Sequence, residues 1–201
     1  MQTAFAPLLA ILAAYLLGSV PFAMISSRLF GLADPRSYGS GNPGATNVLR
    51  SGNKKAALMT LIGDALKGAV AVIVAQQMGF SDTVIGLVAL AVFLGHLYPI
   101  FLKFKGGKGV ATAAGVLLAL DPILGLAVAG TWLLVAYVSR YSSLAALIAA
   151  AAAPVISALM HGANNQTIVV GILGMALIGK HWQNIQRLMA GQESKIGSKK
   201  K

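Results

Sequence analysis

The chain has 201 residues, of which 57% are hydrophobic and only 10% are charged, and its formal net charge is +11. Water-soluble domains of this length usually have about 25% charged residues, so the composition excludes an ordinary soluble protein and favours the bilayer. The basic residues lie between apolar segments and at the C-terminus, so the positive charge does not indicate nucleic-acid binding. No cysteine is present, which excludes disulfides, thiolate metal sites and a cysteine nucleophile.

Apolar segments of membrane-spanning length recur along the chain. A spanning helix needs about 20 mainly apolar residues, with a range of about 17–25. Four stretches are near that length, namely 4–26, 56–78, 83–102 and 143–160. Three further apolar stretches are shorter, namely 110–120, 123–138 and 167–180. The first stretch follows no positively charged region, so we expect a retained span and not a cleaved signal peptide.

The stretch 110–138 is either one helix or two, and this choice decides the number of spans. Asp121-Pro122 lies in its middle, and an acidic residue followed by a helix breaker predicts a turn. With two helices, seven spans and the N-terminus outside, fifteen of the sixteen Lys and Arg residues face the cytoplasm, as the positive-inside rule requires. With six spans, Arg140 and the C-terminal basic cluster would lie outside.

The predicted fold class is therefore an all-α integral membrane protein with seven transmembrane helices, some of them short. The N-terminus is expected outside and the C-terminus in the cytoplasm. Residues 1–201 are expected to form a single membrane-embedded domain, in which 191–201 is a solvated, mobile basic tail that contacts anionic lipid.

The stretch GSGNPGATNVLR, residues 39–50, is the first of three polar segments on the predicted cytoplasmic side. Asn42-Pro43 fits a helix start, with asparagine as the N-cap and proline at the first helical position. Backbone N–H groups and the helix dipole would favour an anion there. An ordinary glycine-rich connection is the alternative interpretation. The candidate anion-binding residues are Ser40, Gly41, Asn42, Thr46, Asn47 and Arg50.

The second segment, KFKGGKGV at 103–110, is a small-residue turn that opens a helix, with Lys108 at its mouth. It has the character of a phosphate cradle, but Lys108 is followed by Gly109, so no Walker A motif supports nucleotide hydrolysis. His96, just before it, is interpreted as structural. The third segment is HWQNIQRL at 181–188, where His181, Asn184 and Arg187 recur every three residues. A simple amphipathic exit helix is the alternative there.

Two smaller features complete the polar set. Ser142 and Ser143 follow Arg140 in a polar turn on the same side. Lys67 lies inside the second span, three residues after Asp64. An internal ion pair would explain Lys67, but a charged residue this deep usually faces a polar cavity or a partner, and we expect a functional role.

The inventory of residues limits the chemistry. Only five residues are acidic, and two of them fall in predicted outer loops, so a carboxylate metal site is not expected. Basic residues and phosphate cradles are abundant, whereas a proton acceptor is scarce. Such a set suits binding two phosphorylated molecules and stabilising developing negative charge.

The three segments together, GSGNPGATNVLR, GH-x2-P-x4-FKGGKGVAT and H-x2-NI-x-RL-x2-G-x-E-x-K, with DxLKG at 64–68, resemble the bacterial acyl-phosphate:glycerol-3-phosphate acyltransferase family, PlsY. The resemblance implies transfer of a fatty acyl group from acyl-phosphate to the 1-hydroxyl of sn-glycerol 3-phosphate. The products would be lysophosphatidic acid and inorganic phosphate, in the first step of phospholipid synthesis. It further implies no metal or other cofactor, membrane lipids as surroundings, no obligate protein partner, and a bacterial inner membrane location with the active site facing the cytoplasm.

The resemblance also implies roles for residues. The expected catalytic residues are His181, Asn184, Lys108 and Arg50. The expected phosphate-binding residues are Ser40, Gly41, Asn42, Thr46, Asn47, Arg50, Lys67, Lys108, Ser142 and Ser143. The family's third motif often has a basic residue after its histidine, where this chain has Trp182.

The proton acceptor stays open at this stage. The His-x4-Asp pair of the other large glycerol-phosphate acyltransferase class is absent, because Phe101, Gln166 and Gln186 stand five residues after the three histidines. Either a phosphate oxygen of a substrate or His181 would accept the hydroxyl proton. Two other functions remain open, a transporter of a phosphorylated metabolite and a purely structural membrane subunit.

The predicted orientation can be tested directly, because single cysteines can be placed in a chain that has none. Asp82→Cys should react with a membrane-impermeant maleimide added outside intact cells, and Asn53→Cys should react only after the membrane is opened. The reverse pattern would show that the predicted orientation is wrong.

Overall fold

The computed structural model describes residues 5–197, and over that range the chain is helical with no β-strand. The first five α-helices are α1 Ala6–Gly18, α2 Phe22–Leu29, α3 Ala45–Leu49, α4 Lys54–Gln77 and α5 Asp82–Leu97. A 3₁₀ turn at Ile100–Leu102 follows. The remaining helices are α6 Val110–Leu120, α7 Pro122–Ser139, α8 Ser142–His161, α9 Asn165–Lys180 and α10 Trp182–Met189.

The helices fall into three groups by length and apolarity. Within the described residues, four stretches are long and apolar enough to cross a membrane, namely Lys54–Gln77, Asp82–Leu102, Pro122–Ser139 and Ser142–His161. The pair α1 and α2 reaches the same length only together, with a 40° bend between them. The helices α6 and α9 are apolar but shorter.

The turn predicted at Asp121 is confirmed. Asp121 is extended, with φ −154°, and its side chain accepts hydrogen bonds from the backbone N–H groups of Ile123 at 2.7 Å and Leu124 at 3.0 Å. Pro122 takes the first helical position, where its missing N–H costs nothing. Asp121 also contacts His161 at 2.7 Å, which ties this turn to the end of α8.

The first predicted span, 4–26, is not one continuous helix. The helix α1 ends at Gly18, and α2 begins at Phe22 after Pro21. Proline supplies no N–H to the helix and its ring clashes with the preceding turn, so the break follows from Pro21. Residue 4 lies outside the described residues.

The predicted helix start at Asn42-Pro43 is wrong. The helix α3 begins at Ala45 with Gly44 as its N-cap, and Gly44 makes no side-chain cap. The Gly44 N–H donates to the Asn42 carbonyl at 2.9 Å. This tight three-residue turn uses Pro43 at its centre and delays the helix by two residues.

Glycines allow the closest helix pairs to approach each other. A Cβ on Gly115 of α6 would run into the Ala65 carbonyl of α4, and one on Gly68 of α4 would run into the Thr112 carbonyl of α6. Gly18 of α1 lies against the Val92 carbonyl of α5 in the same way. Small residues at such crossings are typical of membrane helices, where van der Waals packing drives association.

One end of this bundle positions the site. It is the end at which α4 and α8 begin and α5, α7 and α9 end, and it contains the turn 103–109, the loop 39–50 and α10. We call it the basic end. It gathers the three segments singled out in the sequence.

Gly115→Ala should destabilise the fold by about 1–3 kcal/mol, because the added methyl overpacks the α4–α6 crossing. Gly130→Ala on α7 is the matched control, since a Cβ there meets nothing within 4 Å, and it should be neutral or stabilising by up to about 1 kcal/mol. Thermal unfolding in detergent would measure both changes. Equal midpoints for the two variants would contradict the packing argument.

Candidate active site

Lys108 is held in place by the turn that precedes α6. Gly109 has φ +87°, and a Cβ on it would strike the Phe93 ring, so this residue must be a glycine for the turn to lie on α5. The Gly107 N–H donates to the His96 carbonyl at 3.1 Å. From this turn the Lys108 ammonium donates a hydrogen bond to the Asn184 amide oxygen on α10. The second and third polar segments therefore meet at one hydrogen bond.

The electrostatics around Lys108 lower its basicity. Burial, together with the positive charge of Arg187, lowers the pKa of the Lys108 ammonium to about 8. Arg50 and Lys180 act in the same direction, and Glu193 opposes them. An incoming phosphate would reverse this, since an anion favours the charged ammonium.

Glu193 accepts hydrogen bonds from three side chains of two helices, α8 and α10, through one carboxylate. Its Oε1 accepts from the Asn184 amide at 2.7 Å and from the Ser143 hydroxyl at 2.8 Å, and its Oε2 accepts from Arg187 Nε at 2.7 Å. Although burial raises the pKa of Glu193, the hydrogen bonds from Arg187, Asn184 and Ser143 outweigh burial and hold it below its ordinary value. The carboxylate thus stays ionised and orients both α10 and the start of α8.

His181 is buried between the end of α9 and the start of α10. Its Nδ1 lies 2.8 Å from the Leu177 carbonyl, and because a carbonyl only accepts, Nδ1 carries the proton and Nε2 is left as the acceptor. Burial lowers the pKa of His181 to about 4, against the opposing effect of the hydrogen bond to Leu177. The imidazole is therefore neutral at physiological pH.

Asn47 organises the loop 39–50 from within. It is 2% exposed, its amide nitrogen donates to the Pro35 carbonyl at 2.6 Å and the Tyr38 carbonyl at 3.2 Å, and its oxygen accepts from the Ser40 N–H at 2.9 Å. The Ser40 hydroxyl also reaches this oxygen, at 3.2 Å. With both ends of its amide engaged, Asn47 shapes the loop, and its predicted contact with phosphate stays a prediction.

Two contacts connect this loop to the rest of the basic end. The Arg50 guanidinium donates to the Ser194 hydroxyl at 2.6 Å, and the hydroxyls of Thr46 and Ser142 lie 3.3 Å apart. The structure thus brings together Thr46, Arg50, Lys108, Ser142, Ser143, His181 and Asn184. Ser40 and Gly41 are exposed at the loop surface, and Asn42 is half-buried beside them.

Lys67 lies apart from this group. Its ammonium is 2.8 Å from Asp64 and donates to the Val20 carbonyl at 3.0 Å, and its side chain is 2% exposed. The space beside it has a volume of about 10 Å³, enough for about one water molecule and too small for a phosphate. The structure shows Lys67 in the internal ion pair, and its predicted contact with substrate phosphate stays a prediction.

Sequence reasoning missed Glu193 as a site residue. It assigned 191–201 to a solvated tail, whereas the Glu193 side chain is 7% exposed, and the Ile196 N–H donates to the Arg140 carbonyl at 2.7 Å. Residues 198–201 lie outside the described residues. Two signals were available in the sequence. The motif H-x2-NI-x-RL-x2-G-x-E-x-K includes Glu193, and this residue is the only glutamate in the chain.

Comparison with known proteins decides the family. A family model described as glycerol-3-phosphate acyltransferase matches residues 8–191. The chain belongs to this family. The prediction made from the three motifs is thereby confirmed. The glycerol-3-phosphate acyltransferase of Dechloromonas aromatica strain RCB is 87% identical over 193 residues, covering 96% of this chain and 98% of that protein. The corresponding enzyme of Burkholderia vietnamiensis is 62% identical over 196 residues, covering 96% and 92%.

Two crystal structures of PlsY (YgiH), an integral membrane glycerol 3-phosphate acyltransferase, have the same fold. The glycerol 3-phosphate form superposes with a TM-score of 0.90 at 38% identity, and the lysophosphatidic acid form with 0.89 at 37%. Each comparison covers 96% of both chains. As a member of the glycerol-3-phosphate acyltransferase family, the chain is an all-helical, multi-pass membrane acyltransferase of lipid biosynthesis.

The basic end offers donors and positive charge for such chemistry. Lys108 and Arg50 are cations that carry mobile hydrogen-bond donors, and Ser142 and Thr46 add hydroxyls. Within residues 5–197, no three His, Asp or Glu side chains come close enough together to hold a metal ion. The arrangement suits binding phosphate and stabilising an oxyanion.

We expect kcat/KM to decline near pH 8 as Lys108 loses its proton. Lys108→Arg should shift this decline to higher pH, because a guanidinium stays charged there. The midpoint should move up by at least about one pH unit, and the maximal rate should fall about tenfold, since the two side chains differ in shape. Lys54→Arg, at an exposed position, is the control and should keep the wild-type profile. An unchanged alkaline midpoint in Lys108→Arg would show that another group titrates.

Proposed function

We propose that this protein transfers a fatty acyl group from acyl-phosphate to the 1-hydroxyl of sn-glycerol 3-phosphate, releasing lysophosphatidic acid and inorganic phosphate. The observation that supports the proposal is that the three polar segments lie together at the basic end, where Lys108 bonds Asn184, Arg50 bonds Ser194 and Thr46 approaches Ser142. Two substrates that each contain a phosphate need several separate donors at one place, and the basic end supplies them.

The proposed setting is the bacterial inner membrane, with seven spans, the N-terminus outside and the basic end in the cytoplasm. The seven spans would be the four long stretches, the bent pair α1 and α2, and the short helices α6 and α9. The asymmetry of Lys and Arg supports this orientation. Soluble glycerol 3-phosphate would enter from the cytoplasm, while the acyl chain stays in the bilayer.

The proposed roles follow from the contacts. Arg50 and Lys108 would bind substrate phosphate and stabilise the negative charge that develops on the carbonyl oxygen. Ser40, Gly41 and Asn42 would add donors from the loop 39–50, and Thr46, Ser142 and Ser143 would add hydroxyls. Asn184 would fix Lys108, to which its amide oxygen is bonded.

The reaction needs few protein groups. The glycerol hydroxyl oxygen attacks the acyl carbon, the bond between that carbon and the phosphate oxygen breaks, and inorganic phosphate leaves. The hydroxyl proton goes to a phosphate oxygen of a substrate. This assignment is favoured because a general base works best with a pKa near the operating pH, and the pKa of His181 is lowered to about 4. His181 would then orient groups around it and not accept the proton.

The experiment is an assay of the purified protein with acyl-phosphate and labelled glycerol 3-phosphate. We expect labelled lysophosphatidic acid and an equal amount of released phosphate, without added metal ion or nucleotide. A protein that forms none of this product, but moves phosphate into vesicles, would be the transporter and would overturn the proposal. Acyl-CoA and acyl carrier protein thioesters serve as controls for the donor.

His181→Gln should lower kcat by less than about 100-fold, because loss of a true general base typically costs about 10²–10⁴-fold. The shape of the pH–rate profile should not change, since the neutral imidazole does not titrate between pH 5 and 9 with a pKa of about 4. A larger loss, accompanied by the disappearance of an acid limb, would identify His181 as the base.

A further inference from the structure

A buried polar cluster lies beneath the Lys108 turn and is not used by the chemistry above. Asp64 and Lys67 come from α4 and His96 from α5, with side chains 4%, 2% and 8% exposed. The Lys67 ammonium and the His96 Nδ1 both contact the same Asp64 oxygen, Oδ1, at 2.8 Å and 3.4 Å. Neither group forms a hydrogen bond to this oxygen. The charge of Lys67 and the close approach of the imidazole ring therefore hold it in place.

Lys67 also makes structural contacts on the side facing away from Asp64. Its ammonium donates to the Val20 carbonyl at 3.0 Å, and it lies 5.9 Å from the centre of the Phe22 ring. Val20 is in the break between α1 and α2, where carbonyls have lost their helical partners. Lys67 thus neutralises Asp64 and satisfies the backbone of the break.

His96 connects this cluster to the turn. The Gly107 N–H donates to the His96 carbonyl at 3.1 Å, and a Cβ on Gly107 would run into His96 Nε2. A Cβ on Gly106 would run into the same carbonyl and into Pro99. The imidazole ring therefore packs against Gly107, while the His96 carbonyl and Pro99 pack against Gly106. We infer that the orientation of the ring sets the position of the residue that follows the two glycines.

We propose that Asp64 is a positioning residue for Lys108, acting through the His96 ring and the Gly106–Gly107 turn, with Lys67 as its counter-charge. Asp64 Oδ1 contacts His96 Nδ1, and the opposite edge of the imidazole ring packs against Gly107. Gly107 directly precedes Lys108, whose ammonium bonds Asn184. The inference rests on the proposed function only in taking Lys108 as a substrate-binding residue.

The test separates positioning from simple packing by removing the whole ion pair. Replacing both partners of a buried ion pair by apolar residues is often neutral for stability, whereas removing one partner leaves a buried charge unpaired. The double variant Asp64→Leu/Lys67→Met should therefore unfold within a few degrees of wild type. Its kcat should nevertheless fall about 10- to 100-fold, because small misplacements of a binding group cost that much.

The deciding readout is the reactivity of Lys108, which needs no enzyme activity. Acetylation of Lys108 by acetic anhydride, followed by mass spectrometry across a pH series, reports the pKa of its ammonium, which burial lowers to about 8 in the wild type. In the double variant the loosened turn exposes the ammonium, and the midpoint should move up by about one unit or more. The groups around Lys108 are unchanged, namely the charged side chains of Arg50, Lys180, Arg187 and Glu193 and the neutral imidazole of His181.

Thr60→Val is the matched control, since Thr60 is also fully buried on α4 but bonds Ser26 at 2.6 Å instead of His96. It should keep the wild-type kcat and the wild-type Lys108 midpoint. His96→Leu breaks the same path while leaving the ion pair in place, and it should behave like the double variant.

Three outcomes would overturn the inference. A folded double variant with the wild-type kcat and the wild-type Lys108 midpoint would show that the cluster contributes only to packing. A low kcat with an unchanged Lys108 midpoint would mean that the cluster acts by another route, such as direct contact of Lys67 with substrate. A wild-type midpoint of Lys108 acetylation in His96→Leu would show that the imidazole ring does not connect Asp64 to Lys108. Failure of the proposed function looks different, because the wild type itself would then form no lysophosphatidic acid while the Lys108 midpoint still shifted.

Discussion

The arrangement of the basic end depends on the one carboxylate of Glu193. Arginine, asparagine and serine donors from α10 and α8 all converge on its two oxygens. In a region with so many cations, mutual repulsion would otherwise drive the side chains apart, and a buried anion offsets that repulsion while leaving Lys108 free of a direct ion pair. Because Glu193 engages Arg187, the remaining cations keep donors available for phosphate. The same carboxylate fixes Asn184, whose oxygen in turn holds Lys108.

Much of the architecture could be predicted from the sequence because the bilayer imposes strong rules on composition. Apolar length marked the helices, and the placement of Lys and Arg marked the end of the bundle where the polar segments meet. The turn at Asp121 was predictable because capping and proline chemistry act within a few residues. The motif GxGN–GGKG–HxxN was recognisable because each part combines residue types that a lipid-facing helix would not contain.

The side-chain partners that the sequence did not reveal lie in segments that are separated along the chain. Asn42 and Asn47 have the same side chain, and nothing local shows that Asn47 turns inward to bond Pro35 and Tyr38. Lys67 could have faced a cavity or a partner, and the choice depended on where the carbonyl of Val20 would fall. Glu193 was placed in a solvated tail because its partners are 6 to 50 residues away in sequence.

The segment after α10 returns across the bundle end and changes how the protein can be handled. Ser194 touches Arg50, and Ile196 pairs with the backbone of Arg140, so this short return joins three polypeptide segments that are otherwise far apart in the chain. Deleting it to trim an apparently dispensable basic extension would remove an anion from the interior of the site. A fusion partner placed directly after residue 197 would begin beside the basic end, whereas one placed directly before α1 would begin at the opposite end of the bundle.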